Sequence, residues 1–308
     1  MVERRDVLLN EHMHLWGWPI AVYLFLGGLA AGLLVFASWA HLAGRRREHL
    51  RAVHAASLLV PPIIVVGLLV LWLDLGSKWT PFWLYLTLKP KSPMSWGAWI
   101  LLATLLTSSL AAVPALHRYI PRLRGRVRGS MLRLERWTGP RLRRLSWINL
   151  ALGLALGLYT GVLLGTMAAR PALNSPILAP LFLISGLGVA AALLSVLISD
   201  PPTSRLLVRA EVTAQGLELG LLGLYLAGLA TSSAVAQAAA ASIAGGRWAW
   251  AFWSLVVVGG LIVPLGMGVA EIHARRISHA MARLGASLAL VGGLAMRIVL
   301  VYAGQQGW

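Results

Sequence analysis

Apolar stretches of about twenty residues recur along this chain from end to end, and each is long enough to cross a hydrocarbon layer about 30 Å thick. Eight can be drawn, at 18–43, 52–75, 95–116, 146–169, 175–199, 206–232, 248–271 and 282–303. Backbone amides in lipid must find partners within their own segment, so these stretches predict helices. A barrel would need alternating segments of about ten residues, which the sequence lacks. Little is left over for a soluble domain, since 58% of the 308 residues are hydrophobic and 12% are charged. The expected fold is all-α and integral to the membrane. The charged segment before residue 17, with Glu3, Arg4, Arg5, Asp6 and Glu11, leads into an apolar run too long for a signal-peptide core, so a retained span is expected.

A formal charge of +17 suggests nucleic acid until the basic residues are located. Nineteen of the 27 fall in the segments 44–51, 117–145, 200–209 and 272–283. Arg4, Arg5, Lys78, Lys89, Lys91, Arg170 and Arg247 fall on the other side, and Arg297 lies inside the last span. Basic loops on one side are a topology signal and an attraction to anionic lipid, not a nucleic-acid interface. The asymmetry puts both termini outside the cytoplasm and makes 76–94 an outward loop, broken by Pro81, Pro90 and Pro93. Ten arginines in 117–145 alternate with Leu123, Val127, Met131, Leu132, Leu134 and Trp137, the pattern of an amphipathic segment lying on a membrane surface.

The sequence has no cysteine, which excludes disulfides, thiolate zinc sites, iron–sulfur clusters held by this chain and covalent c-type haem attachment. Haem held between histidines is also disfavoured. His117, His273 and His279 sit with His41 and His54 at cytoplasmic ends or loops, His12 and His14 precede the first span, and only His41 with His54 offers a pair.

Ionisable groups inside spans are costly, so they mark function. Asp74 closes the second span on the outward side, against the helix dipole, which demands an offsetting partner. Tyr23 and Tyr159 lie in the outward halves of the first and fourth spans, and Arg297 in the outward half of the last. Each alone has a structural reading, as interfacial anchor or snorkelling cation. Together they gather in one half of the bilayer. Glu211, Gln215 and Glu218 share one face of the sixth span by their i, i+4, i+7 spacing, a stripe suited to proton transfer or to hydrogen bonding between helices. Glu271 reads as interfacial. Gly28 and Gly32 form a GxxxG pair that permits close helix approach.

Four segments carry a resemblance to a known family over nearly the whole sequence. They are Tyr-Leu-Phe-Leu-Gly-Gly-Leu-Ala-Ala-Gly at 23–32; Leu-Asp-Leu-Gly at 73–76 with Ser-Pro-Met-Ser-Trp-Gly-Ala-Trp at 92–99; Tyr-Thr-Gly at 159–161 with Arg170-Pro171; and Met-Arg-Ile-Val-Leu-Val-Tyr-Ala-Gly-Gln at 296–305. Their order and spacing resemble the membrane subunit of polysulfide reductase and its NrfD-like relatives. The resemblance implies two four-helix bundles, 1–170 and 171–308, without metal or haem. It also implies exchange of electrons with a membrane quinone, menaquinone or ubiquinone, in the first bundle near the outward face. The implied partners are a ferredoxin-like iron–sulfur subunit outside the cytoplasm and a molybdopterin catalytic subunit, in a bacterial or archaeal cytoplasmic membrane. Tyr159 matches the family's quinone-contacting tyrosine and Asp74 an acidic position implicated in quinol chemistry, which makes these two the candidate catalytic residues. Some members carry a histidine near Tyr23, and Arg297 matches a recurring arginine of the last span, so both are candidate quinone contacts.

The residue chemistry agrees with that implication. Quinone carbonyls need hydrogen-bond donors and a group able to exchange a proton, which tyrosines and a carboxyl supply. Two other readings remain open from the residues: a proton-coupled transporter using Glu218 and Arg297 as a midplane relay, and a passive anchor for a redox partner.

Overall fold

The computed structural model describes residues 16–74, 92–119, 128–166, 170, 172–274 and 278–305. Among these residues the protein is helical. The eight apolar spans are α1 (Trp18–Leu42), α2 (Leu50–Asp74), α3 (Pro93–Tyr119), α5 (Leu142–Gly165), α6 (Leu178–Leu197), α7 (Pro201–Ala230), α9 (Ala249–His273) and α10 (His279–Gln305). Two shorter helices lie between them, α4 (Arg128–Thr138) and α8 (Ala234–Gly245). Successive spans run in opposite directions, so the ends of the helices form an arginine-rich face and a far face. The segments 1–15 and 75–91, most of the first charged stretch and of the predicted outward loop, lie outside the described residues, as does the first part of the basic 117–145 segment.

Local chemistry explains where the spans begin and end. Pro19 opens α1 at a position where a missing N–H costs nothing. Ahead of α7, Asp200 adopts an extended conformation before Pro201, and the Thr203 hydroxyl turns back to donate to its carboxylate. This signal starts α7 several residues earlier than hydropathy alone predicts. Ser233 caps α8 by accepting from the Ala236 amide at 3.3 Å, so the stretch read as a loop is a helix too short to cross the bilayer. Pro61 and Pro62 sit within α2 without ending it, as membrane helices allow. Part of the basic segment forms α4, an amphipathic helix on which Arg133, Arg136 and Trp137 are exposed.

The spans pack in two closed sets of neighbours. In one, α1 and α3 each contact both α2 and α5; in the other, α6 and α9 each contact both α7 and α10. The sets meet where α1 and α5 pack on α6 and where α10 packs on α1. Packing between helices in lipid depends on close approach, because tails are as apolar as leucine. The α1–α6 crossing is made of backbone. A Cβ on Gly32 would stand 2.3 Å from the Gly186 carbonyl oxygen, and one on Gly186 would stand 2.7 Å from that of Gly28. A second crossing of the same kind joins α9 to α10, where a Cβ on Gly292 would fall 2.2 Å from the Gly260 Cα. There α9 is wound as a π-helix over Phe252–Ile262, a wider coil that sequence reading does not anticipate.

The two sets are also fastened at each face. On the far face the Trp16 amide donates to Gln305 Oε1 at 2.7 Å, and Gln305 Nε2 donates to the Trp16 carbonyl at 2.9 Å. On the arginine-rich face buried His49, between α1 and α2, hydrogen-bonds the Thr203 hydroxyl at 3.1 Å. Gly32→Val is expected to prevent close approach of α1 and α6, with a strong loss of detergent-stable protein and a lowered Tm by scanning fluorimetry. Gly220→Ala, at a position with nothing within 4 Å, is expected to leave both unchanged.

Candidate functional site

Glycine on one helix makes room for tyrosine on the next in the far-face half of the first set. Tyr159 of α5 lies across Gly97 of α3 so closely that a Cβ there would be 2.0 Å from the phenol oxygen. Tyr23 of α1 packs toward Gly67 of α2, its Cδ2 3.7 Å from where a Cβ would stand. Both phenols are buried, at 3% and 8% exposure for Tyr23 and Tyr159. Asp74 is the last residue of α2, two turns beyond Gly67, and its Oδ1 lies against Gly17 at the start of α1. It is exposed. Three helices of one set thus each bring a proton-bearing side chain to the same end. Around that end, Trp72, Leu73, Met94, Trp96 and Trp99 are 40–61% exposed and present an apolar surface to lipid.

Arg297 occupies a different place. It is fully buried at the junction of α10, α6 and α1. One terminal nitrogen donates to the Ser185 hydroxyl at 3.0 Å and to the Gly293 carbonyl at 2.7 Å. The guanidinium carbon lies 5.1 Å from the Phe182 ring centroid and 5.7 Å from that of Phe25, within cation–π range. The other terminal nitrogen lies over Gly28, 3.0 Å from where a Cβ would be, and neither it nor Nε has a hydrogen-bond partner. Glu218 of α7 hydrogen-bonds Ser185 and lies within electrostatic reach of Arg297, without an ion-pair contact between the two. Of the four residues expected to gather outward, Tyr23, Asp74 and Tyr159 share one helix set, whereas Arg297 groups with Ser185 and Glu218 nearer midplane.

The predicted stripe on α7 is buried along its length, with Glu211, Gln215 and Glu218 at 7%, 3% and 4% exposure. The Ser195 hydroxyl of α6 donates to Glu211, and Gln215 Oε1 is buried without a partner. Glu271 stands near the end of α9, as an interfacial residue would, yet packs against protein. It is 5% exposed, has an unpartnered Oε1, and lines with Glu211 a narrow cleft between α7, α9 and α10. A line of polar groups therefore runs from Glu271 and Glu211 on the arginine-rich side to Ser185 and Arg297.

Sequence reading did not single out Ser185, and a lone serine in an apolar helix carries too little signal to do so. It also passed over a polar cluster inside the first set, on the arginine-rich side, where Asn149 and four serines meet. An apolar groove of about 400 Å³ lies between α1, α6 and α7 in that same half, bordered by Trp39 and Arg209. It is remote from the tyrosines.

A polytopic, all-helical membrane protein with buried charge at a helix junction and a polar cluster at one end of a four-helix set is the class defined so far. Residues 7–307 match the family model described as "Polysulphide reductase, NrfD". The sequence is 34% identical to Protein NrfD of Escherichia coli over 94% of its own length and 95% of that protein's. It is 30% identical to the C subunit of polysulfide reductase of Wolinella succinogenes, over 94% of either protein, and 28% identical to the Protein NrfD homolog of Haemophilus influenzae, again over 94% of each. The protein belongs to the NrfD/polysulphide reductase family.

Glu218 lies within electrostatic reach of the buried guanidinium, so each group makes burial of the other less costly. Arg297→Met should therefore lower the unfolding midpoint in detergent far more than the double variant Arg297→Met/Glu218→Gln. Equal losses in both would show that the carboxylate does not balance the guanidinium.

Proposed function

We propose that this protein is the membrane subunit of a redox complex and exchanges electrons between a membrane quinone and a partner subunit. The observation that carries the reading is that Tyr23, Asp74 and Tyr159 all lie toward one end of a single helix set, with exposed Trp96 and Trp99 on its rim. Family membership supports it, as does the name of the Wolinella succinogenes relative, which marks that protein as one lettered subunit of a polysulfide reductase.

The donor set fits a quinone: phenols that can donate to carbonyl oxygens, a carboxyl able to take or give a proton, and an apolar flank for a hydrocarbon tail. A bound quinone supplies the two-electron, two-proton redox chemistry. In this reading Tyr159 and Tyr23 orient the head group from α5 and α1. Asp74, exposed at the end of α2, passes protons between that head group and water. With no cysteine to hold a cluster, electrons leave through a partner, taken to be a ferredoxin-like iron–sulfur subunit joined to a molybdopterin catalytic subunit. The far face is assigned to the outside by the position of the arginines, both termini then being extracytoplasmic. The helix neighbours support a division into two bundles near residue 170.

Glu271, Glu211, Gln215 and Glu218 form a second element of the proposal, a proton path through α7 and its neighbours toward Arg297. Burial of all four, with open hydrogen-bonding capacity at Gln215 and Glu271, favours it.

Extraction of the purified complex is expected to yield bound quinone, and a complex with intact partners but no quinone would sink the main reading. Asp74→Asn and Tyr159→Phe are each expected to lower quinone-linked turnover by about tenfold or more while the subunits still co-purify. For the proton path, Glu218→Gln is expected to lower the ratio of protons moved to electrons transferred in proteoliposomes. An unchanged ratio would remove Glu218 from it.

A further inference from the structure

Inside the first helix set, on the arginine-rich side of midplane, all four helices turn polar side chains toward one small cavity. Ser38 and His41 come from α1, Ser57 from α2, Ser108 from α3, and Ser146 and Asn149 from α5. Asn149 is 1% exposed and its Oδ1 accepts no hydrogen bond, although it is surrounded by hydroxyls. The cavity has room for about one water molecule, and a water needs two to four polar partners, which these side chains supply. An apolar interior would be expected at this depth, because each buried polar group costs about 1–3 kcal/mol when unpaired. Six polar groups on four separate helices are not the by-product of one helix's amphipathicity.

The cluster has a direction. At its arginine-rich end His41 lies within electrostatic reach of Arg46 and of His54, itself buried on α2. Toward the far face, Ser108 is followed one turn away on the same side of α3 by Thr104, which is fully buried. Seven residues further along that face stands Gly97, the residue covered by the Tyr159 phenol, about 10 Å from Thr104 by helical rise. The hydroxyls of Thr104 and Ser146 donate to helix carbonyls at 2.7 and 2.8 Å, which leaves their lone pairs available to a further donor.

We propose that this cavity holds water and serves as a proton relay between the arginine-rich face and the Tyr159 end of the same helix set, where the proposed quinone would sit, with Asn149 as its central positioning residue. The proposal rests on the quinone reading of that end. It names a route distinct from the glutamate line on α7, from which it is separated by α1 and α6. The relay moves protons only: a proton entering at the His41 end is passed along hydrogen-bonded water and hydroxyls toward Tyr159 when the bound quinone is reduced, and in the reverse sense when quinol is oxidised.

The test uses the full complex in proteoliposomes. Asn149→Leu keeps the side-chain size and removes both polar atoms; Ser108→Val closes the cavity from α3 if the first variant fails to accumulate. Expected are a fall in quinone-linked turnover of about tenfold or more, unchanged affinity for a quinone analogue, a raised solvent deuterium isotope effect, and partial rescue by small weak acids such as azide. Wild-type turnover in both variants overturns the relay. So does a loss of turnover that accompanies lost analogue affinity and is not rescued, which would mark a packing role. A wild-type complex that binds no quinone analogue would instead overturn the quinone reading. X-ray radiolytic labelling in ¹⁸O-water separates the two, since it reports bound water without any quinone. Label at Leu34, which lines the cavity, is expected, and its absence while lipid-excluded controls also stay unlabelled overturns the hydrated cavity.

Discussion

The crossing of α1 and α6 at Gly28, Gly32 and Gly186 is the contact on which the rest of the architecture depends. Backbone meets backbone there, so no side chain sets the distance between the two helix sets. In lipid, where apolar side chains gain nothing by leaving the solvent, such close approach supplies dispersion contacts that bulkier residues would forfeit. It also fixes where a large side chain from α10 can go. Arg297 fills the space beside Gly28, and its guanidinium is enclosed by Phe25 of α1 and Phe182 and Ser185 of α6. A larger residue at 28 would evict the cation. The same two glycines that look like packing in the sequence are therefore what allows a charge to be held at the junction.

That junction separates two polar systems. On one side the α7 glutamates lead toward Ser185 and Arg297; on the other, the interior of α1, α2, α3 and α5 carries its own hydroxyls and amide. The guanidinium, with two nitrogens unpartnered in a sealed site, is a fixed positive charge between them. Coulomb energy falls off slowly in a medium of low dielectric. The potential of the guanidinium therefore acts on ionisable groups in both helix sets.

Hydropathy made the eight spans legible because lipid imposes one rule on every residue of a span, and the rule is local in sequence. The ends were less legible. α7 starts at Pro201, where extended Asp200 and the Thr203 hydroxyl that donates to it form a local signal that an average over twenty residues dilutes, and α8 escapes detection because twelve mostly small residues can form a helix without spanning anything. Tyr23, Asp74 and Tyr159 could be proposed as partners because helix direction places them in one half of the bilayer. Arg297 satisfies the same criterion yet sits with Glu218, since depth says nothing about which way a side chain faces. Asn149 and the serines around it were invisible for a related reason. Each is a mild interruption of an apolar helix, and only the packing of four helices brings them together.

A membrane subunit that exchanges protons with a quinone must satisfy two requirements that oppose each other. The helices need a continuous apolar exterior, and protons need a continuous polar interior. On the proposed reading, this protein resolves the conflict with small groups. Serine and threonine hydroxyls bond to their own helix carbonyls, as Thr104, Ser108 and Ser146 do, so each is satisfied when dry and still has a lone pair to offer when water is present. Glycine then lets aromatic rings close over the backbone, as Tyr159 does at Gly97, without leaving a void. An ionised side chain in the same cavity would demand permanent hydration and would weaken the seal. In the proposed relay asparagine is the compromise: it is polar enough to hold a water at 149, and neutral enough to be buried when that water leaves.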